Sequence, residues 1–246
     1  MFQFTYKNIE EQYKQVKELG YIFVTCEEFV KLKPGLKATD KIVVNRIDID
    51  LSVKKTKRLV DVFNELKIKG TFFLRLHAPE YNPFSFENYK IIKFLIDSGH
   101  ELGYHSEVID QSIIWNEDAK ECLLRDIKVI NEMFNINING VASHGGMTGD
   151  NNLDFWKERK ASDFNLLYEA YDHQPEFNLF REAFYISDSE WVRWKCYDKG
   201  KLKAGDNRTF VEHAKDAHSL INILIHPDTY YDSHFYENEK IIYLMK

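Results

Sequence analysis

Two carboxylates one residue apart, Asp48 and Asp50, close the run Ile42-Val-Val-Asn-Arg-Ile-Asp-Ile-Asp50. If that run is a strand, alternate side chains share a face, and the two acids point the same way. Like charges so placed repel and resist desolvation, so a cation or a shared proton must compensate them, unless both lie in a solvated loop past the strand. Other apolar runs end on similar chemistry. His105 and Glu107 follow residues 101–104, His144 follows 141–143, and His226 follows 220–225. Histidines and carboxylates meeting at one rim are what a hydrolytic divalent metal needs: three protein ligands and an open position for water. A carboxylate outside the ligand set then serves as base, and a histidine opposite it protonates the leaving group.

The elements that must bring these residues together are read from periodicity. Ile9, Tyr13, Val16 and Leu19 form one stripe of a helix over 8–19, with Gly20 as its stop, and 21–24 reads as a short strand. From residue 42 the pattern alternates: strand 42–47, helix 54–66, strand 71–76, helix 86–97, strand 101–104, helix 117–134 and strand 141–143. Short extended runs at 166–168, 183–186 and 191–194 precede a helix over 209–218 and a strand over 220–225. Such alternation predicts an α/β fold of parallel strands joined by crossover helices, which gathers ligands at the carboxyl ends of its strands. With 5 Pro, 11 Gly and no linker or repeat, residues 1–246 read as a single domain, 1–40 being an N-terminal helical extension packed on the rest.

Composition narrows the partners. Of 246 residues, 33 are Lys or Arg and 39 are Asp or Glu, and a net charge of −6 excludes a general binder of nucleic acid backbones. No apolar stretch reaches the roughly 18 residues of a membrane helix, so no integral membrane segment is expected. Residues 1–20 are too polar for a signal-peptide core, and the expected location is cytoplasmic. Cys26, Cys122 and Cys196 are odd in number and lack a Cys-x-x-Cys pair, which indicates neither a disulfide framework nor a thiolate zinc site. They are expected as small core residues. Aromatic residues make up 15%, enough to leave some exposed for stacking on sugars; Tyr81, Phe84 and Phe86 would either form such a platform or pack over the barrel mouth.

Four segments in order, Arg46-Ile-Asp-Ile-Asp50, Gly70-Thr-Phe-Phe73, Gly99-His-Glu-Leu-Gly-Tyr-His105 and Ile223-Leu-Ile-His-Pro227, resemble the polysaccharide deacetylase superfamily (NodB homology, carbohydrate esterase family 4). The likeness spans 42–228. It looks closest to a divergent branch associated with surface-polysaccharide biosynthesis, in which Ser-His-Gly and Ser-Asp-Ser recur, here as Ser143-His-Gly145 and Ser187-Asp-Ser189. The resemblance implies a distorted (β/α) barrel with fewer than eight regular repeats. It also implies a metal-dependent hydrolase of carbon–nitrogen bonds that removes an acyl group, typically acetyl, from an amino sugar or oligosaccharide precursor. The implied cofactor is a divalent metal, zinc in the first instance. By similarity Asp48 is the catalytic base, Asp50 a metal ligand, His105 the first histidine ligand and His226 the general acid. Asp188 falls where an acidic residue orients a catalytic histidine, and Trp191 where a tryptophan walls the pocket. Arg46 and Arg75 would bind a substrate carboxylate or else neutralise neighbouring acids, whereas His100 supports the fold.

One departure matters. The second histidine ligand of that superfamily lies four residues after the first, and here that position is Ile109, which cannot bind metal. Glu107 and His144 are the candidate substitutes. Ile109 also keeps two alternatives open: a metal-free amidohydrolase or sugar-modifying enzyme working through Asp48 and His226, and a non-catalytic sugar-binding domain. A serine hydrolase is disfavoured because no Gly-x-Ser-x-Gly segment occurs.

Overall fold

The run that ends in Asp48 and Asp50 is the middle of the molecule. In the computed structural model, which describes residues 2–233, β2 (Ile42–Ile49) is buried at every position. That burial on both faces is what a β-branched, nearly uninterrupted apolar strand requires. One edge of β2 pairs with β1 (Ile22–Val24) over its first half and β3 (Thr71–Leu74) over its second, and the other edge pairs with β10 (Leu220–Ile225), all in parallel. Outward from β3 lie β4 (Glu101–Ser106), β5 (Gly140–Ser143) and β6 (Tyr168–Glu169), again parallel. Beyond β10 comes parallel β7 (Phe184–Ser187), then β8 (Lys195–Asp198) and β9 (Lys201–Leu202), which run antiparallel. The order β6-β5-β4-β3-β2-β10-β7-β8-β9, with no pairing between its two ends among the described residues, is a distorted, incompletely closed barrel of α/β type.

Register carries the site residues to one rim. Ile225 stands opposite Ile47, so the next step along the two strands sets His226 beside Asp48. Ser187 stands opposite Leu224, which delivers Asp188 to the same level, and His105 stands opposite Ala142. Gly103 permits a close approach within this rim, since a Cβ there would lie 2.5 Å from the Phe73 ring.

The crossover helices start where side chains satisfy their free amides. Ser52 caps α3 (Val53–Leu66), Ser85 caps α4 (Phe86–Asp97) and Asp118 caps α6 (Ala119–Phe134). Their apolar stripes, with those of α1 (Tyr6–Glu18) and α8 (Phe210–Lys215), bury Tyr13, Leu59, Phe63, Ile92, Ile130 and Phe210 against the sheet, and a short α7 (Leu179–Glu182) leads into β7. No helix among the described residues is long and apolar enough to cross a membrane.

The structure adds to or departs from expectation in several places, α2 (Cys26–Leu32) and the β8–β9 hairpin among them. The short strand read at 21–24 forms as β1 and joins the sheet between α1 and α2, so the first forty residues are partly built into the sheet and are not only a helical extension packed on it. A helix absent from the sequence reading, α5 (Val108–Trp115), begins directly after the His105 strand. The run 191–194 is not extended: Trp191 takes a left-handed turn conformation at φ 63°.

Candidate active site

At the carboxyl ends of β2, β4 and β5, Asp50, His105 and His144 each offer a donor atom within 4.8 Å of the other two. His105 Nε2 lies 3.2 Å from Asp50 Oδ1, and His144 Nε2 lies 4.0 Å from Asp50 Oδ2. His105 Nδ1 donates to the Ala142 carbonyl at 2.8 Å, which fixes the ring and turns Nε2 toward the carboxylates. The two rings meet edge to face, their centroids 5.1 Å apart. Burial and the neighbouring His105 and Arg75 push the pKa of His144 down, leaving a neutral imidazole with a free lone pair. Burial opposes the charge on Asp50, but His105, His226 and His144 outweigh it and hold the carboxyl far below the ordinary range.

These residues fit a divalent metal on the molecule's own terms. Asp50 Oδ1 is buried without a hydrogen-bond partner despite its closeness to His105. Burial would keep His105 neutral, yet Asp48 and Asp50 raise its pKa, so a proton is drawn to the place a cation would take. One carboxylate and two imidazoles are a donor set suited to zinc and its neighbours.

Asp48 is held differently. Arg46 grips it in a bidentate pair, Nε to Oδ1 at 2.9 Å and Nη2 to Oδ2 at 2.7 Å, with both side chains buried. Against the cost of burial, Arg46 and then His105 keep its carboxyl below the usual value. Arg46 is itself stacked on Tyr171 and Phe73, at 4.7 and 5.4 Å from guanidinium carbon to ring centroid. Across the rim, His226 Nδ1 bonds to Asp188 Oδ1 at 2.6 Å, while Asp188 Oδ2 accepts from the His226 backbone amide at 3.0 Å. That double contact aims Nε2 inward, 3.8 Å from Asp50 Oδ2. Burial disfavours the imidazolium, but the buried Asp188 carboxylate prevails and raises the His226 pKa to about 9.

Three of the residues singled out from sequence stand elsewhere. Arg75 turns inward, donating to Glu107 Oε1 at 2.6 Å and to the Asp50 carbonyl at 3.1 Å, so it braces the site and does not line the cavity. Glu107, buried and engaged by Arg75, is outside the converging trio; its Oε1 lies 3.6 Å from His144 Nδ1, behind the ring. Trp191 is 45% exposed and does not line the cavity either. The walls are Tyr171, Phe180, Tyr185 and Tyr197 around a volume of about 300 Å³, at the lower end of small-molecule sites (roughly 300–1,000 Å³). Sequence reasoning missed these aromatics because they sit in the irregular stretch after β6, and their only signal was the aromatic density of residues 164–197. It also missed Asp110, whose carboxylate accepts from the Met147 and Thr148 amides, the Thr148 hydroxyl and Asn152 Nδ2. Asn152 Oδ1 in turn accepts from the Ile109 and Asp110 amides, so the start of α5 grips the loop that carries His144.

The chain matches no protein family model and no curated protein. Among solved structures it is similar to the Streptococcus pyogenes deacetylase PplD in complex with acetate: 16% identity over 59% of this chain and 65% of that one, TM-score 0.45. It is similar to IcaB from Ammonifex degensii, at 20% identity over 61% of this chain and 70% of that one, TM-score 0.46. A third is BA3943, a CE4 family pseudoenzyme from Bacillus anthracis, at 16% identity over 78% of this chain and 56% of that one, TM-score 0.44. The chain spans less than two thirds of the length of PplD and of BA3943.

Proposed function

We propose that this protein is a hydrolase that removes an acyl group, acetyl in the first instance, from the nitrogen of an amino sugar within a saccharide or its precursor. The observation that carries the reading is the convergence of Asp50, His105 and His144 opposite a His226–Asp188 pair, across a cavity walled by tyrosines. Asp50, His105 and His144 would hold a divalent ion, zinc in the first instance. Such an ion supplies a Lewis acid that acidifies a water and polarises an acyl carbonyl.

The protein's own groups then divide the proton transfers. Asp48, kept as a carboxylate by Arg46, accepts a proton from the attacking water. His226, kept protonated and aimed by Asp188, donates its Nε2 proton to the nitrogen as the carbon–nitrogen bond breaks. Acetate and a free amine leave. Tyr171, Phe180, Tyr185 and Tyr197 line the cavity, so a sugar ring would sit among aromatic side chains.

The test is release of acetate from short N-acetylated oligosaccharides by purified protein, before and after chelation and on adding back zinc. Acetate release that a chelator abolishes and zinc restores is the expected result. Release that survives complete removal of divalent ions would favour acid–base work by Asp48 and His226 alone. Tight oligosaccharide binding without release under any metal would favour a sugar-binding domain.

A further inference from the structure

A second group of donors lies away from this cavity, where the β8–β9 hairpin meets α8. Cys196 of β8 and His213 of α8 are fully buried, and Asp206 comes from the loop between β9 and α8. Cys196 Sγ is 3.6 Å from His213 Nε2, and His213 Nε2 is 3.4 Å from Asp206 Oδ1. A tetrahedral zinc, with sulfur at about 2.3 Å and nitrogen and oxygen at about 2.0 Å, sets sulfur and nitrogen about 3.5 Å apart and nitrogen and oxygen about 3.3 Å apart. The side chains already stand at those separations. Nor do hydrogen bonds account well for the arrangement. A thiol is a weak donor, and His213 Nδ1 has no hydrogen-bond partner, so every polar contact of this buried ring falls on Nε2.

The surrounding charges suit a dication. Arg208 holds Asp206 through Nε and Nη2, at 3.2 and 3.0 Å, and reaches Asp216 at 2.7 Å. A thiolate, two carboxylates, one guanidinium and one divalent ion sum to zero. The Cys196 thiol donates to the Arg208 carbonyl at 3.7 Å, a bond given up when the proton leaves, and a water would supply the fourth ligand.

We infer that Cys196, Asp206 and His213 form a structural zinc site, separate from the candidate active site, that fastens the β8–β9 hairpin to α8. On binding, the Cys196 S–H bond breaks, its proton leaves to solvent and a sulfur–zinc bond forms; Asp206 and neutral His213 donate lone pairs, and nothing is oxidised. The hairpin is worth fastening. It is the antiparallel edge of the sheet, and β8 supplies Lys195 and Tyr197 to the cavity wall.

Cobalt distinguishes the two sites, because Asp50, His105 and His144 include no sulfur. Titrating metal-stripped protein with cobalt(II) is expected to produce a near-ultraviolet thiolate-to-cobalt band that is complete by two ions per chain, one in each site, and by one ion per chain in D50N. The band should persist in D50N and vanish in C196S. X-ray absorption of the zinc-loaded, unaltered protein should show sulfur at about 2.3 Å, about half a sulfur per zinc with both sites filled, which keeps the inference testable if C196S does not fold. Absence of both band and sulfur overturns it, and so does a band that survives C196S. A sulfur-free second ion would place the metal on the neighbouring trio His213, Asp216 and His218 and would likewise overturn the role given to Cys196. None of these readouts depends on deacetylation, so the active-site reading stands or falls separately.

Discussion

Arg46 decides what the two acids of β2 are able to do. It fills both oxygens of Asp48, whereas Asp50 keeps Oδ1 without a hydrogen bond and faces three histidines. A like-charge pair thereby becomes two unequal groups, a carboxylate neutralised by a fixed cation and one that still needs a cation. Metal content and turnover should therefore separate on substitution. D50N is expected to lose the active-site metal and all activity, while D48N keeps the metal and loses about 10²–10⁴-fold in kcat, the usual worth of a positioned acid or base. Metal analysis beside initial rates checks this, with circular dichroism on both variants because D48N leaves Arg46 without its counter-ion. A D48N protein that lost metal as D50N does would show that both acids serve the ion. The spacing Asp-x-Asp made the shared face legible. The direction of Arg46 was not, since an arginine two residues before an acid fits substrate binding as well as neutralisation.

At the level of elements, the informative piece is α5, which the sequence reading passed over. Eight residues are too few to show a clear helical period, and three apolar ones, Ile113, Ile114 and Trp115, face solvent, which breaks the expected stripe. Yet this helix explains why Ile109 is tolerated where a ligand was expected. Ile109 packs against the core, and the adjacent Asp110, through Met147, Thr148 and Asn152, holds the loop that presents His144. In the function proposed above, His144 at the end of β5 supplies the ligand that the resemblance placed on the first turn of α5, and α5 positions the loop that carries it. D110A should accordingly weaken zinc binding at the active site by about 10–100-fold, as removal of a supporting residue typically does, without touching a ligand. Competition titration against a chromophoric chelator measures it, and affinity unchanged in a folded D110A protein would mean that the loop is held by other contacts. The Trp191 segment was misread for the opposite reason. Its β-prone residues are caught in a turn in which the Trp191 amide bonds to the Asp188 carbonyl at 2.7 Å, so tertiary context overrides local preference.

For the whole molecule, alternating strands and helices were legible because the central parallel strands are buried on both faces and the long crossover helices α3, α4 and α6 each show one stripe. The edge formed by β8 and β9 was not, since short strands without that alternation carry little periodic signal. The same sheet buries a group that links its stability to pH. His100 lies at the start of β4 against Phe72 and Phe63, with ring centroids 5.3 and 6.0 Å away, and neither ring nitrogen has a hydrogen-bond partner. Burial, and secondarily Lys69, lower its pKa to about 4. The nearby Glu101 carboxylate gives no relief, since Thr71, Tyr168 and the Glu27 amide already occupy it. In the unfolded chain His100 titrates near 6.5. Above that pH both states are neutral and His100 adds no pH dependence. Between about 6.5 and 4 the unfolded state holds a proton that the native state refuses, so stability falls as pH falls, and below about 4 the loss is complete at roughly 3 kcal/mol. H100F, whose ring suits an aromatic pocket and cannot titrate, should remove this share. Denaturant unfolding of both proteins from pH 7 to pH 4 is expected to show the difference in stability moving toward H100F by about 3 kcal/mol across that window. A difference that stays constant with pH would mean that His100 is protonated equally in both states, and the acid sensitivity of this fold would then have to arise at other buried groups.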